Sequence, residues 1–179
     1  MTKAVHVASE GKQDYATPTE LVHLIARRFG VSFVLDLSAS SENAKCADWI
    51  DEKENSLAQN WAERISTNPP GEYGRVNCAW LNPPFKRAAP WMEKCAAESA
   101  KGMRIVSLTL SSMGSNWYRD HVEGKAFSLI LRDRVTFVGC NDPYTKELMV
   151  TLWGFGMTGL GFWSWKKDLP DPTVPGRGN

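Results

Sequence analysis

Val31 to Leu35 is an apolar run interrupted only by Ser32, and it ends on Asp36. A strand with almost no polar side chain has no face to give to water, so it belongs inside a parallel sheet covered by helices on both faces. Val76 to Leu81 reads as another strand, and it delivers the chain directly into Asn82-Pro83-Pro84-Phe85. Further strands are predicted over Arg104–Leu110 and Ala126–Leu131, with a short one over Ala47–Ile50 that Asp51 would end. Helical stretches alternate with them. Thr17-Pro18-Thr19-Glu20 has the form of a capping box with proline at the first helical position, and Leu21, Leu24, Ile25 and Phe29 follow at helical spacing. A helix from about Pro18 to Phe29 is therefore predicted, stopped by Gly30. Ala89 to Lys101 is helical, with Pro90 near its start and Gly102 just past its end, and Ser115 to Val122 is a short helix. Residues 58 to 73 carry weak signals apart from a turn at Asn68-Pro69-Pro70-Gly71. Strands alternating with helices specify an α/β chain built on a mostly parallel sheet.

The stretch Leu148 to Trp165 carries no charge and approaches the length of a membrane helix. Gly154, Gly156, Gly159 and Gly161 interrupt it in short blocks of aromatic and β-branched residues, the pattern of a hairpin with strands near Leu148–Trp153 and Leu160–Trp165. No membrane span is expected, and the hairpin should form an antiparallel edge. The 179 residues fit one domain over residues 1–167 with an adequate core, and the Pro- and Gly-rich stretch 168–179 reads as a flexible tail.

Lys and Arg number 21 against 20 Asp and Glu, so net charge argues neither for nor against nucleic acid and any basic footprint must be local. Cys46, Cys78, Cys95 and Cys140 lie far apart, with no C-x-x-C pair and no histidine at ligand spacing. Neither a metal site nor a disulfide framework is expected, and reduced thiols agree with a cytoplasmic protein. The start, Met1-Thr2-Lys3, does not resemble a signal peptide.

In open sheets of this kind ligands bind outside the carboxyl ends of the strands. Asp36, Asp51 and Asn82 all fall at predicted strand ends and should line one crevice. Two prolines in a row fix the backbone after Asn82, so the Asn82 side-chain oxygen and the Pro83 carbonyl become two preorganised acceptors. Such a pair can hold the hydrogens of an aromatic amine and turn its delocalised lone pair toward an electrophile. Phe85 offers a flat face for a base, worth about 1–3 kcal/mol by stacking. A rigid turn leaving a strand explains the same four residues. The chain contains its own controls: Asn68-Pro69-Pro70-Gly71 lacks the aromatic and the strand before it, and Asp142-Pro143-Tyr144 is a second near miss.

From about Gln13 to Trp165 the sequence resembles the phage-type DNA N6-adenine methyltransferases, the Dam-like family. The likeness lies in the order of four blocks: Ala16-Thr17-Pro18 before a helix; Leu35-Asp36-Leu37-Ser38-Ala39-Ser40 with Glu42-Asn43-Ala44-Lys45-Cys46; Ser56 to Trp61; and Asn82 to Phe85. The resemblance implies a Rossmann-like fold, S-adenosylmethionine as cofactor, and transfer of its methyl group to the N6 amine of adenine in DNA with base flipping. Asn82, Pro83, Pro84 and Phe85 then form the catalytic loop. Asp36 would receive the methionine end of the cofactor, Ser38 and Ala39 would let the backbone approach it, and Asp51 would accept from the ribose hydroxyls. Thr17 and Pro18 would close over the cofactor, a role that competes with simple helix capping, and Asn43 would contribute to the site or serve as a local turn cap. Asn55 stands where the family shows an acidic residue, so an amide would meet the cofactor's adenine there. No glycine-rich loop follows the first strand, and Ser111-Ser112 replaces a proline-containing turn common among relatives.

Lys86 and Arg87 follow the catalytic loop where phosphates flanking a flipped base would pass, whereas Lys125, Arg132 and Arg134 read as solvated charge. Trp117 or Tyr118 could approach the substrate. The alternatives left open are a methyltransferase acting on RNA or a protein glutamine, and a non-catalytic nucleic-acid-binding protein that retains the fold.

Overall fold

The structure is a computed structural model, and it describes residues 16–71 and 74–170. Among the described residues three α-helices, α1 (Thr19–Phe29), α2 (Trp61–Ser66) and α3 (Ala88–Ala100), accompany seven strands: β1 (Val31–Asp36), β2 (Asp48–Trp49), β3 (Val76–Leu81), β4 (Ile105–Leu110), β5 (Phe127–Leu131), β6 (Leu148–Trp153) and β7 (Gly159–Trp163). All seven form one sheet in the order β2-β1-β3-β4-β6-β5-β7. Neighbouring pairs among β2, β1, β3 and β4 are parallel, β6 runs antiparallel to both β4 and β5, and β7 is parallel to β5. Six strands therefore point one way and β6 alone is reversed.

Side chains alternate between two apolar layers, as strand geometry requires. Val106, Leu108, Leu129, Leu131, Val150 and Leu152 face the layer that α1 covers with Leu21, Val22 and Ile25. Ala79, Leu81, Ile105, Met149 and Trp153 face the other, closed by Trp61 of α2 and by Met92 and Cys95 of α3. The buried carboxylate of Glu98 on α3 ties these helices together. It accepts from the Ala62 amide at 3.1 Å and from Lys94 and Lys101, each also at 3.1 Å.

α1 forms where its apolar spacing places it, and Gly30 ends it in the left-handed conformation (φ 64°) with its amide bonded to Ala26 O. The expected capping box does not form. Pro18 takes the cap position, where it has no side-chain oxygen to offer, and Thr17 lies one residue too early. α1 descends against β1, so its N-terminus stands at the carboxyl edge of the sheet.

The closing segment departs from expectation. β6 and β7 are not paired: β6 is buried at all six positions as an internal strand between β4 and β5, and β7 is the outer strand. A strand without one polar face cannot sit at an edge; the glycines from Gly154 to Gly159 instead carry the chain past the start of β5. The antiparallel hairpin of this fold is β5–β6, joined by the long loop 132–147. The helix expected over Ser115–Val122 runs over residues 116–122 and is π-helical at Tyr118–Val122, and the strand near Ala47–Ile50 shortens to Asp48–Trp49. The start of the expected tail is anchored, since Asp168 accepts from Trp163 Nε1 at 2.7 Å and its carbonyl accepts from Arg27 at 2.9 Å. Residues 171–179 lie outside the described residues. No helix among those described is long and apolar enough to cross a membrane.

Candidate active site

Two adjacent parallel strands set up the site. β1 ends in Asp36 and β3 ends at Leu81, and a bond from Leu37 N to Trp80 O (2.9 Å) keeps the two exits side by side. Asp36 is 2% exposed. Its carboxylate accepts from Ser38 N at 3.3 Å and from Lys45 N at 3.0 Å, so it holds both ends of the loop that follows β1. Burial pushes its pKa up to about 6, against the lowering effect of those two amides and of the Lys45 charge. Each carboxylate oxygen keeps acceptor capacity beyond one amide, and a cation brought to it would relieve the cost of burial.

The loop itself is built locally. Asn43 Oδ1 accepts from Ser40 N at 2.7 Å, so Asn43 serves as the turn cap. Ser38 and Ala39 are half-buried, and Ala39 N bonds Ile50 O at 3.2 Å, which keeps the backbone close to the sheet edge. Asp51 exchanges bonds with Glu54, accepting from its amide at 3.0 Å and donating its own amide to the Glu54 carboxylate at 3.3 Å. Asn55 is exposed with φ 52°, a conformation that asparagine tolerates better than most residues. Arg64 secures the whole turn by bonding Asp48 at 2.6 and 3.1 Å and Glu54 at 2.8 Å. These bonds hold Asp48 below the usual carboxylate range. Sequence reasoning missed Arg64, whose partners lie 10 and 16 residues away.

Thr17 lies just ahead of α1, beside Ala16, whose carbonyl accepts from Val138 N at 2.9 Å. Thr17 is 1% exposed, and its hydroxyl has no hydrogen-bond partner among the described residues. Capping, the competing explanation for Thr17, is thereby removed.

The loop leaving β3 places Asn82 half-buried, Pro83 buried and Pro84 exposed, with the Asn82 side-chain oxygen shut off from solvent. Pro84 O then receives the Arg87 amide (3.0 Å) in a short 3-10 turn over Phe85–Arg87 that leads into α3. Lys86 and Arg87 are exposed. Phe85 differs from the expected open stacking face. It is 7% exposed and belongs to an aromatic cluster with Phe137 (ring centroids 6.1 Å) and Tyr144 (5.7 Å) from the β5–β6 loop. An aromatic ring at the mouth of an apolar sheet gains by packing there. Phe137 escaped sequence reasoning, while Tyr144 was visible as the aromatic of Asp142-Pro143-Tyr144. Trp117 and Tyr118 pack together on the opposite layer, with Tyr118 buried there. Among the described residues no group of three or more His, Cys, Asp or Glu could hold a metal ion.

The edge thus brings Thr17, Asp36 and Asn82–Phe85 together, with Asp51 and Asn55 on the turn beyond β2. The family model described as DNA N-6-adenine-methyltransferase (Dam) matches residues 4–148. The chain belongs to this Dam family. A DNA N-6-adenine-methyltransferase of Haemophilus phage HP1 (strain HP1c1) is 26% identical over 140 residues, covering 77% of this chain and 73% of the relative. A putative methyltransferase, YfdM, of Escherichia coli (strain K12) is 34% identical over 89 residues, 50% of this chain and 85% of that protein. A DNA N-6-adenine-methyltransferase of Escherichia phage T1 is 24% identical over 106 residues, covering 59% of this chain and 39% of the relative. The seven-stranded sheet with one reversed strand is accordingly a Rossmann-like methyltransferase fold of the Dam family.

Proposed function

We propose that this Dam-family chain transfers the methyl group of S-adenosylmethionine to N6 of an adenine flipped out of DNA. The observation that carries the proposal is the pairing of exits: a buried carboxylate and an Asn-Pro-Pro-Phe turn leave adjacent strands at one edge, fastened by the Leu37–Trp80 bond.

The residues present fit the cofactor. Asp36 is a buried carboxylate whose raised pKa marks a desolvation cost that an ammonium would offset. The Thr17 hydroxyl is enclosed and lacks a protein partner among the described residues, as expected of a group that a ligand completes. Ser38 and Ala39 are small and only half-buried, so their side chains would not keep a ligand from the backbone. S-adenosylmethionine supplies a methyl group made electrophilic by its sulfonium.

On the substrate side, Asn82 Oδ1 and the Pro83 carbonyl accept the two hydrogens of the adenine amine and favour a tetrahedral nitrogen with its lone pair aimed at the methyl group. The prolines keep both acceptors in place before the base arrives. Phe85 stacks on the base, which requires Tyr144 and Phe137 to yield as the β5–β6 loop lifts. The methylated amine is acidic enough to release its proton to water. Lys86 and Arg87 meet phosphates beside the flipped nucleotide.

The test is methyl transfer from labelled S-adenosylmethionine to DNA, RNA and protein in parallel, followed by detection of N6-methyladenine. Label in DNA that Asn82→Ala abolishes supports the reading. Label in RNA or protein alone, or none anywhere, overturns it.

A further inference from the structure

At the far corner of the same edge, where β5 and β7 end and β6 begins, lies a cleft of about 230 Å3 that the reaction described above does not use. Its lining includes Arg132, Arg134, Lys146, Glu147 and Phe162. Phe162 is 57% exposed, an unusual state for a phenylalanine on a strand, and the Arg132 guanidinium lies 5.0 Å from the centre of its ring. The cleft also holds two carboxylates, only one of them in an ion pair. Glu147 pairs with Arg134 at 3.1 Å, and Asp133 accepts from the Lys166 amide at 3.0 Å. Among the described residues Arg132 and Lys146 have no ion-pair partner. The corner thus carries three cations against two carboxylates, and two of the cations, Arg132 over its aromatic ring and Lys146, are outside any ion pair among the described residues.

Resting on the function proposed above, we propose that this cleft is a second DNA contact, gripping the backbone that flanks the target adenine through Arg132 and Lys146. β5 stands three strands from β3, so the cleft is roughly 14 Å from the catalytic loop. That distance corresponds to about four base steps along a duplex. A guanidinium held against a ring still offers a planar fork of donors, which suits bidentate contact with phosphate oxygens. The same loop, 132–147, lines the cleft at its base and covers Phe85 with Phe137 and Tyr144 further along. Seating the backbone in the cleft therefore bears on the segment that must lift from Phe85.

The experiment measures binding of a fluorescein-labelled mixed-sequence duplex at several salt concentrations, beside methylation at saturating DNA. Arg132→Ala with Lys146→Ala should weaken binding about tenfold at near-physiological salt and reduce the slope of log K against log salt by about two, one per lost phosphate contact. Phe162→Ala should act in the same direction and less strongly. S-adenosylmethionine affinity and the melting temperature should stay unchanged, because these residues are exposed. A wild type that methylates DNA while the double variant keeps its affinity and salt slope overturns this proposal alone. A wild type that methylates no DNA overturns the function on which it rests.

Discussion

The chain writes Asn-Pro-Pro twice, fourteen residues apart, once on each side of β3, and the two copies differ in almost every physical respect. Asn68-Pro69-Pro70 follows the end of α2. Asn68 donates to Asp48 Oδ2 at 3.2 Å and to Arg64 O at 3.4 Å, Pro69 O receives Asn77 Nδ2 at 2.9 Å, and both prolines are exposed. Gly71 closes that turn because a side chain there would meet Arg75 O at 2.4 Å. Asn82-Pro83-Pro84 instead follows a buried strand, with Pro83 and Phe85 enclosed and Asp36 leaving the neighbouring strand. The tripeptide is a stiff turn in both places. What precedes it decides whether its acceptors end in a structural bracket or at the ligand edge of the sheet.

The sharpest way to break this contrast is to substitute both asparagines. Asn82→Ala should lower kcat by about a thousandfold, in the range for removal of a preorganised polar group that acts on the reacting atoms. Its DNA affinity should change little. Retained turnover would return Asn82-Pro83-Pro84 to the status of its twin.

Next in size is Asp36→Asn. S-adenosylmethionine affinity should fall about a hundredfold, the scale of losing one partner of a charged, desolvated hydrogen bond. Stability should move differently. Burial raises the folded-state pKa of Asp36 from 3.8 to about 6, so between those values the folded protein keeps a proton that the unfolded chain has released. The contribution of this group is therefore most favourable below about pH 4 and declines as pH rises to about 6, by about 3 kcal/mol in all. Denaturant unfolding across that window should show the decline in the wild type and lack it in Asp36→Asn; equal slopes would remove Asp36 as a buried carboxylate with unspent capacity.

Much of the sheet was legible because β1, β3, β4 and β5 announce themselves as apolar runs and because Asp36 and Asn82 sit at their ends. Strand order was not legible. Leu148–Trp153 and Leu160–Trp165 look like two arms of a hairpin from sequence alone, since adjacency in the chain is the only information there. Burial of β6 on both faces is a tertiary fact, visible only when β4 and β5 are seen to flank it. Phe85 was legible as an aromatic at the right place and illegible as a covered one, because its partners Phe137 and Tyr144 come from more than fifty residues downstream. Thr17 was misread as a cap for a local reason: the Thr-x-x-Glu spacing was right, and the proline took the cap position.

Phe85→Leu tests that covered state. Volume is nearly kept, so stability should fall by less than about 1.5 kcal/mol, whereas Phe85→Ala should cost about 3–5 kcal/mol. Both should lose stacking on the flipped base. For Phe85→Leu the expected result is a rise in KM for DNA of about tenfold, equivalent to the low end of one stacking interaction. An unchanged KM would mean that Phe85 serves only the aromatic cluster.

Asn68→Ala is the smallest effect and completes the pair. The substitution removes a donor to a carboxylate that Arg64 already holds at two points, so Asp48 stays partnered. A loss of about 1 kcal/mol in unfolding free energy is expected, the ordinary worth of one hydrogen bond, with kcat and both affinities unchanged. The Asp48–Arg64–Glu54 bracket also holds the turn that carries Asp51 and Asn55, so a cofactor gripped by that turn would register the loss of Asn68 as weaker binding. A stability change with no affinity change therefore confines cofactor recognition to the Asp36 side of the edge, whereas a loss of affinity extends it across β2.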